Sequence, residues 1–174
     1  MLAENLSDLF QRGLEFAYDC ERHLVKELPK MSAAASSIDL KRAIDVHWED
    51  TKSHVDRLEQ VFSILKRAAA EETNHAIRNL LAESDKLIKH IDRSALLDTA
   101  LIVTGTQIEH SEIALYGSTL SLACLLGFSD VAKLLEQTLD EEKAANQKLT
   151  DIAVNSVNRA AIGFQNTPHG FVII

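Results

Sequence analysis

Residues 102–120, IVTGTQIEHSEIALYGSTL, decide the fold. Ile102, Thr106, Glu109, Ile113, Tyr116 and Leu120 recur at alternating steps of four and three, the period of a helix face turned toward a core. Glu109 interrupts that face, Glu112 follows one turn later, and neither has a Lys or Arg three or four residues away to pair with. Working outward, three more stripes repeat the pattern. Phe10, Leu14, Ala17, Glu21, Leu24 and Leu28 are broken by Glu21, and Leu135, Thr138, Glu142, Ala145, Leu149 and Ile152 by Glu142. Leu40, Ile44, His47, Thr51, His54 and Leu58 carry Asp50 at their edge. An ionised carboxylate inside a helical core is strongly disfavoured unless it is paired or bound to metal. Four such interruptions call for one cause, and bound metal supplies it.

The bulk composition agrees with a helical protein. With 174 residues, 46% of them hydrophobic, the chain can bury one core, and only 6 Gly and 2 Pro leave helix interiors uninterrupted. A net charge of -8, with no run of Lys or Arg, argues against nucleic acid and against an anionic membrane surface. The first ten residues, MLAENLSDLF, carry Glu4 and no apolar run of signal-peptide length, so a cytoplasmic location is expected. The apolar region from Leu96 to Leu126 contains Asp98, Glu109, His110 and Glu112, too polar for a lipid-facing span. Cys20 and Cys124 show no CxxC spacing and read as buried free thiols.

The punctuation predicts five helices. The first runs from a cap at Ser7 to Pro29, where the ring kinks or ends it; the second starts at caps among Ser36, Ser37 and Asp39 and reaches Ala69. An amphipathic segment over 71–91 reads as a helix laid on the outside of a bundle. The next helix follows residues 92–94 and stops before Gly127, and the last is capped by Ser129 and runs to Arg159. Two short connections and one of some twenty residues match an all-α, ferritin-like up-down-down-up four-helix bundle, with an additional crossover helix between the second and third bundle helices. The bundle is expected to occupy residues 1–160. Residues 161–174 then form an apolar tail containing Phe164, Phe171, Val172, Ile173 and Ile174. The helix bearing Glu109 is apolar around more of its circumference than a lone bundle requires, which favours a homodimer.

Bundles that hold two metal ions place one or two acids on each of two helices, and an acid with a His or acid a turn away on each of the others. The candidate ligands here are Glu21, His47, Asp50, His54, Glu109, Glu112 and Glu142. The five acids would carry five negative charges, which two divalent ions would reduce to about one, and imidazole nitrogen selects iron, manganese or zinc over magnesium and calcium. Tyr18 and Tyr116 fall within a turn of Glu21 and Glu112, where the simplest role is a core tyrosine with a locally satisfied hydroxyl.

Four segments, YDCERHLVKELPKM, HWEDTKSHVDRLEQVF, IEHSEIALYG and KLLEQTLDEEKAANQKLTDIAVNSVN, together resemble the YciE/YciF-type stress-associated members of the ferritin-like superfamily over residues 4–158. The resemblance implies a bundle able to carry a dimetal centre, with ligands falling on Glu21, Asp50, Glu109, Glu112 and Glu142. Glu109 with Glu112 also resembles the paired acids of rubrerythrins. Two positions depart from the family pattern: Asp50 stands where it has Glu, and Asn146 where it has an acid. His54, four residues after Asp50 and on the core stripe, could compensate. The expected function is a stress-associated protein with a dinuclear non-haem site, iron before manganese or zinc, reacting with dioxygen or peroxide. The rival expectation is a structural or interaction protein in which the same site is degraded or empty.

Overall fold

A computed structural model describes residues 4–165, and every regular element among them is helical. These elements are α1 (Leu6–Ala34), α2 (Ile38–Ile64), α3 (His75–His90), α4 (Ala95–Leu125), α5 (Ser129–Ile152), a π-helical turn (Ala153–Val157) and α6 (Asn158–Gln165). No helix among the described residues is long and apolar enough to cross a membrane.

The caps explain most boundaries. Asn5, Ser37, Asn74 and Ser94 each accept a backbone N–H from the first turn of α1, α2, α3 and α4. Gly127, at φ 78, ends the turn after α4 in a conformation that costs glycine little. Several expected boundaries move. Asn5 rather than Ser7 caps α1, and Ser129 opens α5 without a side-chain cap bond. α2 stops at Ile64, five residues short of Ala69, and Lys66 adopts φ 56 just beyond it.

Pro29 neither ends α1 nor leaves a carbonyl stranded. The ring removes the N–H that would have bonded the Val25 carbonyl, and the indole Nε1–H of Trp48 on α2 donates to that oxygen at 2.9 Å instead. The final helix also continues past Arg159, as far as Gln165. The expected apolar tail therefore begins inside a helix, and residues 166–174 lie outside the described part of the chain.

Contacts define the topology. Moving up α1, Gly13 faces Thr119, Cys20 meets Glu112, and Ser36 beyond its end meets Asp98, so α1 and α4 are antiparallel. His54 and Arg57 of α2 meet Glu142 and Thr138 of α5 in the same antiparallel sense. α1 and α2 are joined by a tight turn, as are α4 and α5, which gives the up-down-down-up order with α3 crossing over α1 and α4. Asp19 secures that crossover. Its buried carboxylate accepts the Asn74 backbone N–H at 2.9 Å and pairs with the Arg78 guanidinium, which overrides burial and holds the acid below its usual range.

The core falls into two apolar halves. One contains Leu24, Leu28, Leu40, Ile44, Leu101 and Leu149; the other contains Phe10, Leu14, Leu58, Phe62, Tyr116 and Leu135. On α2, α4 and α5 the break between the halves falls at the acid or histidine read from the sequence, and on α1 it falls between Tyr18 and Cys20, just before Glu21, so those residues form a polar layer across the middle. Asp98 ties α4 to the α1–α2 turn, accepting backbone N–H bonds from Ser36 at 2.7 Å and Ser37 at 2.9 Å. Asp98→Ala leaves two donors at a helix start without their charged acceptor and should cost about 2 kcal/mol in urea unfolding. An unchanged midpoint would show that water replaces the carboxylate freely.

Candidate metal centre

Six of the seven expected ligands converge. His47, Glu109, Glu112 and Glu142 offer donor atoms that all lie within 4.8 Å of one another, as do Glu21, His54 and Glu142. Glu142 belongs to both, so the six residues form two adjoining donor groups with one shared carboxylate. Glu21, His54, Glu112 and Glu142 are fully buried, and His47 and Glu109 nearly so. Helical spacing explains the placement: Glu109 and Glu112 are one turn apart on α4, and His47 and His54 are two turns apart on one face of α2.

Asp50 is not part of either group. It is half-buried and lines a cavity between α2 and α5, while Thr51 takes the fully buried position between the two histidines and donates to the His47 carbonyl at 2.7 Å. The stripe Leu40, Ile44, His47, Thr51, His54 and Leu58 already placed Thr51 inward, so counting alone could have separated it from Asp50. Asn146 lies one turn beyond Glu142, and its Oδ1 is buried with no hydrogen-bond partner among the described residues.

Among the described residues, Glu21, Glu109 and Glu142 face histidines rather than Lys or Arg, and Glu112 meets only the Cys20 thiol. His54 Nδ1 lies 2.9 Å from Glu142 and 3.3 Å from Glu21, and His47 Nε2 lies 3.3 Å from Glu109 and 4.0 Å from Glu142. These contacts lack hydrogen-bond alignment. Glu21 Oε2, His47 Nε2, His54 Nδ1, Glu109 Oε2, Glu112 Oε2 and both oxygens of Glu142 are buried without a hydrogen bond. Native proteins rarely leave even a few such atoms unsatisfied, and their concentration in one layer is what bound cations would account for. A pair of divalent cations fits: the donors are carboxylate oxygen and imidazole nitrogen, and four carboxylates balance two double charges.

Electrostatics give the same picture. Burial, reinforced by the neighbouring carboxylates, pushes Glu109 and Glu112 well above the usual acid range, and burial also raises Glu21. Glu142 is the exception: burial would raise it, but His54 and His47 hold it below its ordinary value. Burial works against a charge on His54, yet Glu21 and Glu142 overcome it and push its pKa to about 11. Without metal, then, the layer holds its charge down by retaining protons.

Neighbours fix the ligands in place. The Tyr116 hydroxyl donates to Glu21 at 2.6 Å, and the Cys20 thiol donates to Glu112 at 3.3 Å. Burial among these carboxylates pushes both the Cys20 thiol and the Tyr116 phenol well above their usual values. Tyr18 points elsewhere, donating to Glu59 at 2.8 Å. Cys20 is buried as expected, but Cys124 is exposed, and both are free thiols.

Glu141 was not among the expected site residues. It accepts from His54 Nε2 at 2.9 Å and is held by Arg57, which also donates to Thr138. By donating its Nε2–H to Glu141, His54 aims Nδ1 at Glu21 and Glu142, and a cation that displaced the Nδ1 proton would meet that nitrogen in the orientation a ligand needs. The adjacency of Glu141 to Glu142 was visible in the sequence. Its contact across to α2 was not.

The family described as a domain of unknown function (DUF892) matches over residues 5–162. The chain belongs to the DUF892 family. It is 35% identical over 162 residues to the protein YciF of Escherichia coli (strain K12), covering 92% of this chain and 98% of that protein. The crystal structure of the E. coli stress protein YciF superimposes with a TM-score of 0.86, covering 90% of this chain and 99% of that one. YcfI from Rhodopseudomonas palustris is 36% identical with a TM-score of 0.81, over 84% of this chain and 94% of that one. This DUF892 chain thus shares its helical bundle with a stress protein, and its polar layer lies at the centre of that shared fold.

Proposed function

We propose that this DUF892 protein binds two metal ions, iron first and manganese or zinc as alternatives, and uses them to react with dioxygen or peroxide under stress. The observation that carries this reading is the set of orphaned donor atoms around Glu142 in the middle of an otherwise apolar core. The kinship with the E. coli stress protein supports the physiological setting.

His47, Glu109, Glu112 and Glu142 would hold one ion, and Glu21, His54 and Glu142 the other. Two such ions supply Lewis acidity and, for iron or manganese, accessible oxidation states for moving electrons. The chain supplies the rest. Glu142 reaches both positions, Glu141 orients His54, and Tyr116 and Cys20 position Glu21 and Glu112. The two apolar halves exclude bulk water, and the cavity reaching His47 and Glu109 gives a small oxidant a way in.

The test is metal content in protein purified without chelator. About two equivalents of iron or manganese per chain are expected, and the Glu109→Ala, Glu112→Ala double variant should lose at least the ion assigned to His47, Glu109, Glu112 and Glu142 while far-UV circular dichroism stays helical. Trace metal that does not change in that variant would favour a non-enzymatic bundle with an empty site.

A further inference from the structure

The cavity beside the polar layer is larger than a small oxidant needs. It measures about 480 Å3 and ends on His47 and Glu109. A water molecule takes about 30 Å3 of liquid volume, and small-molecule sites span roughly 300–1,000 Å3. Its inner wall is built from Leu28, Met31, Leu40, Ile44, Leu101 and Leu149, all buried. Close packing is the rule for protein interiors, so an open apolar space of this size beside buried ligands marks a place where something binds.

Charge at the mouth narrows the class of occupant. Asp39, Asp50, Arg42 and Lys148 all line the cavity, two acids and two bases, and Glu141 is already held by Arg57 and His54. The mouth therefore favours neither an anion nor a cation. Resting on the dimetal reading, we propose that this cavity is the binding site of an uncharged apolar organic molecule, held against the His47–Glu109 side of the centre. The occupant is bounded in size by the cavity and selected by the apolar wall.

N-phenyl-1-naphthylamine, a neutral dye that brightens on leaving water, serves as the probe, with 1-octanol, octanoate and octylamine as competitors. Dye binding is expected in the full-length protein, with 1-octanol displacing it at least tenfold more effectively than octanoate or octylamine. Ala145→Phe on α5 and Ala43→Phe on α2, both half-buried positions lining the cavity, should each weaken dye binding at least tenfold while metal content is unchanged. The proposal is overturned by metal-loaded protein that binds no dye, by binding indifferent to both Phe variants, or by octanoate matching 1-octanol. Metal measured in the same samples separates the two readings. Metal-loaded protein without dye binding sinks the cavity proposal alone. Metal-free protein whose dye binding responds to the Phe variants upholds the cavity and sinks the dimetal centre.

Discussion

Chelation of the metal-loaded protein should lower its melting temperature by about 10 °C. A ligand present at a thousand times its dissociation constant adds about 4 kcal/mol to folding, and in a domain of this size each kcal/mol is worth roughly 2–4 °C. The effect is expected to be large because the ions would be the missing partners of a buried layer. Glu21, Glu109, Glu112 and Glu142 have no Lys or Arg partner among the described residues, so removing the cations leaves desolvated acids facing one another. Differential scanning calorimetry of loaded and chelated samples measures it. Superimposable melts would mean that the layer is stable on retained protons alone.

The second large effect is an inversion of pH dependence. In the metal-free protein, Glu21, Glu109 and Glu112 hold protons that the unfolded chain releases near pH 4.5, and His54 holds one that the unfolded chain releases near 6.5. Each of these four contributes stability that is fully present below its unfolded value and lost as pH rises through its folded value, for His54 about 11. Glu142, depressed in the fold, contributes in the opposite sense, but its share is constant above about pH 4.5 and falls away only in stronger acid. Metal-free protein should therefore melt several degrees higher at pH 5.5 than at pH 8, since one pKa unit is worth about 1.4 kcal/mol. Metal-loaded protein should do the reverse, because protons compete with cations for the same oxygens and nitrogens. A Glu109→Gln, Glu112→Gln variant should flatten the metal-free slope. If metal-free protein instead gains stability between pH 5.5 and pH 8, the acids are ionised in the fold and the account of the layer fails.

The sequence was most informative where chemistry conflicted with periodicity. Glu21, Glu109 and Glu142 stood on apolar stripes, and all three lie in the central layer. Asp50 was read at the edge of its stripe and taken with the ligands; it lies outside both donor groups, and Thr51, on the stripe itself, holds the fully buried place. Cys124 was placed inside because its sequence neighbours are apolar, yet α4 is apolar on faces that the bundle does not cover. Pro29 was read as a helix end, since no local signal announces that Trp48, nineteen positions on, will satisfy the carbonyl it strands.

By itself the amino-acid order determined four long helices with a fifth crossing over, the bundle they form and the acids that interrupt its apolar stripes, because helical period and capping act over a few neighbouring residues. Tertiary structure alone decided that Glu142 is shared between two donor groups, that Glu141 turns His54, that Asp98 caps a neighbouring helix, and that an apolar cavity opens on His47 and Glu109. Those relations join atoms dozens of residues apart. They depend on the rotation and height of one packed helix against another, which side-chain shape fixes across the whole core.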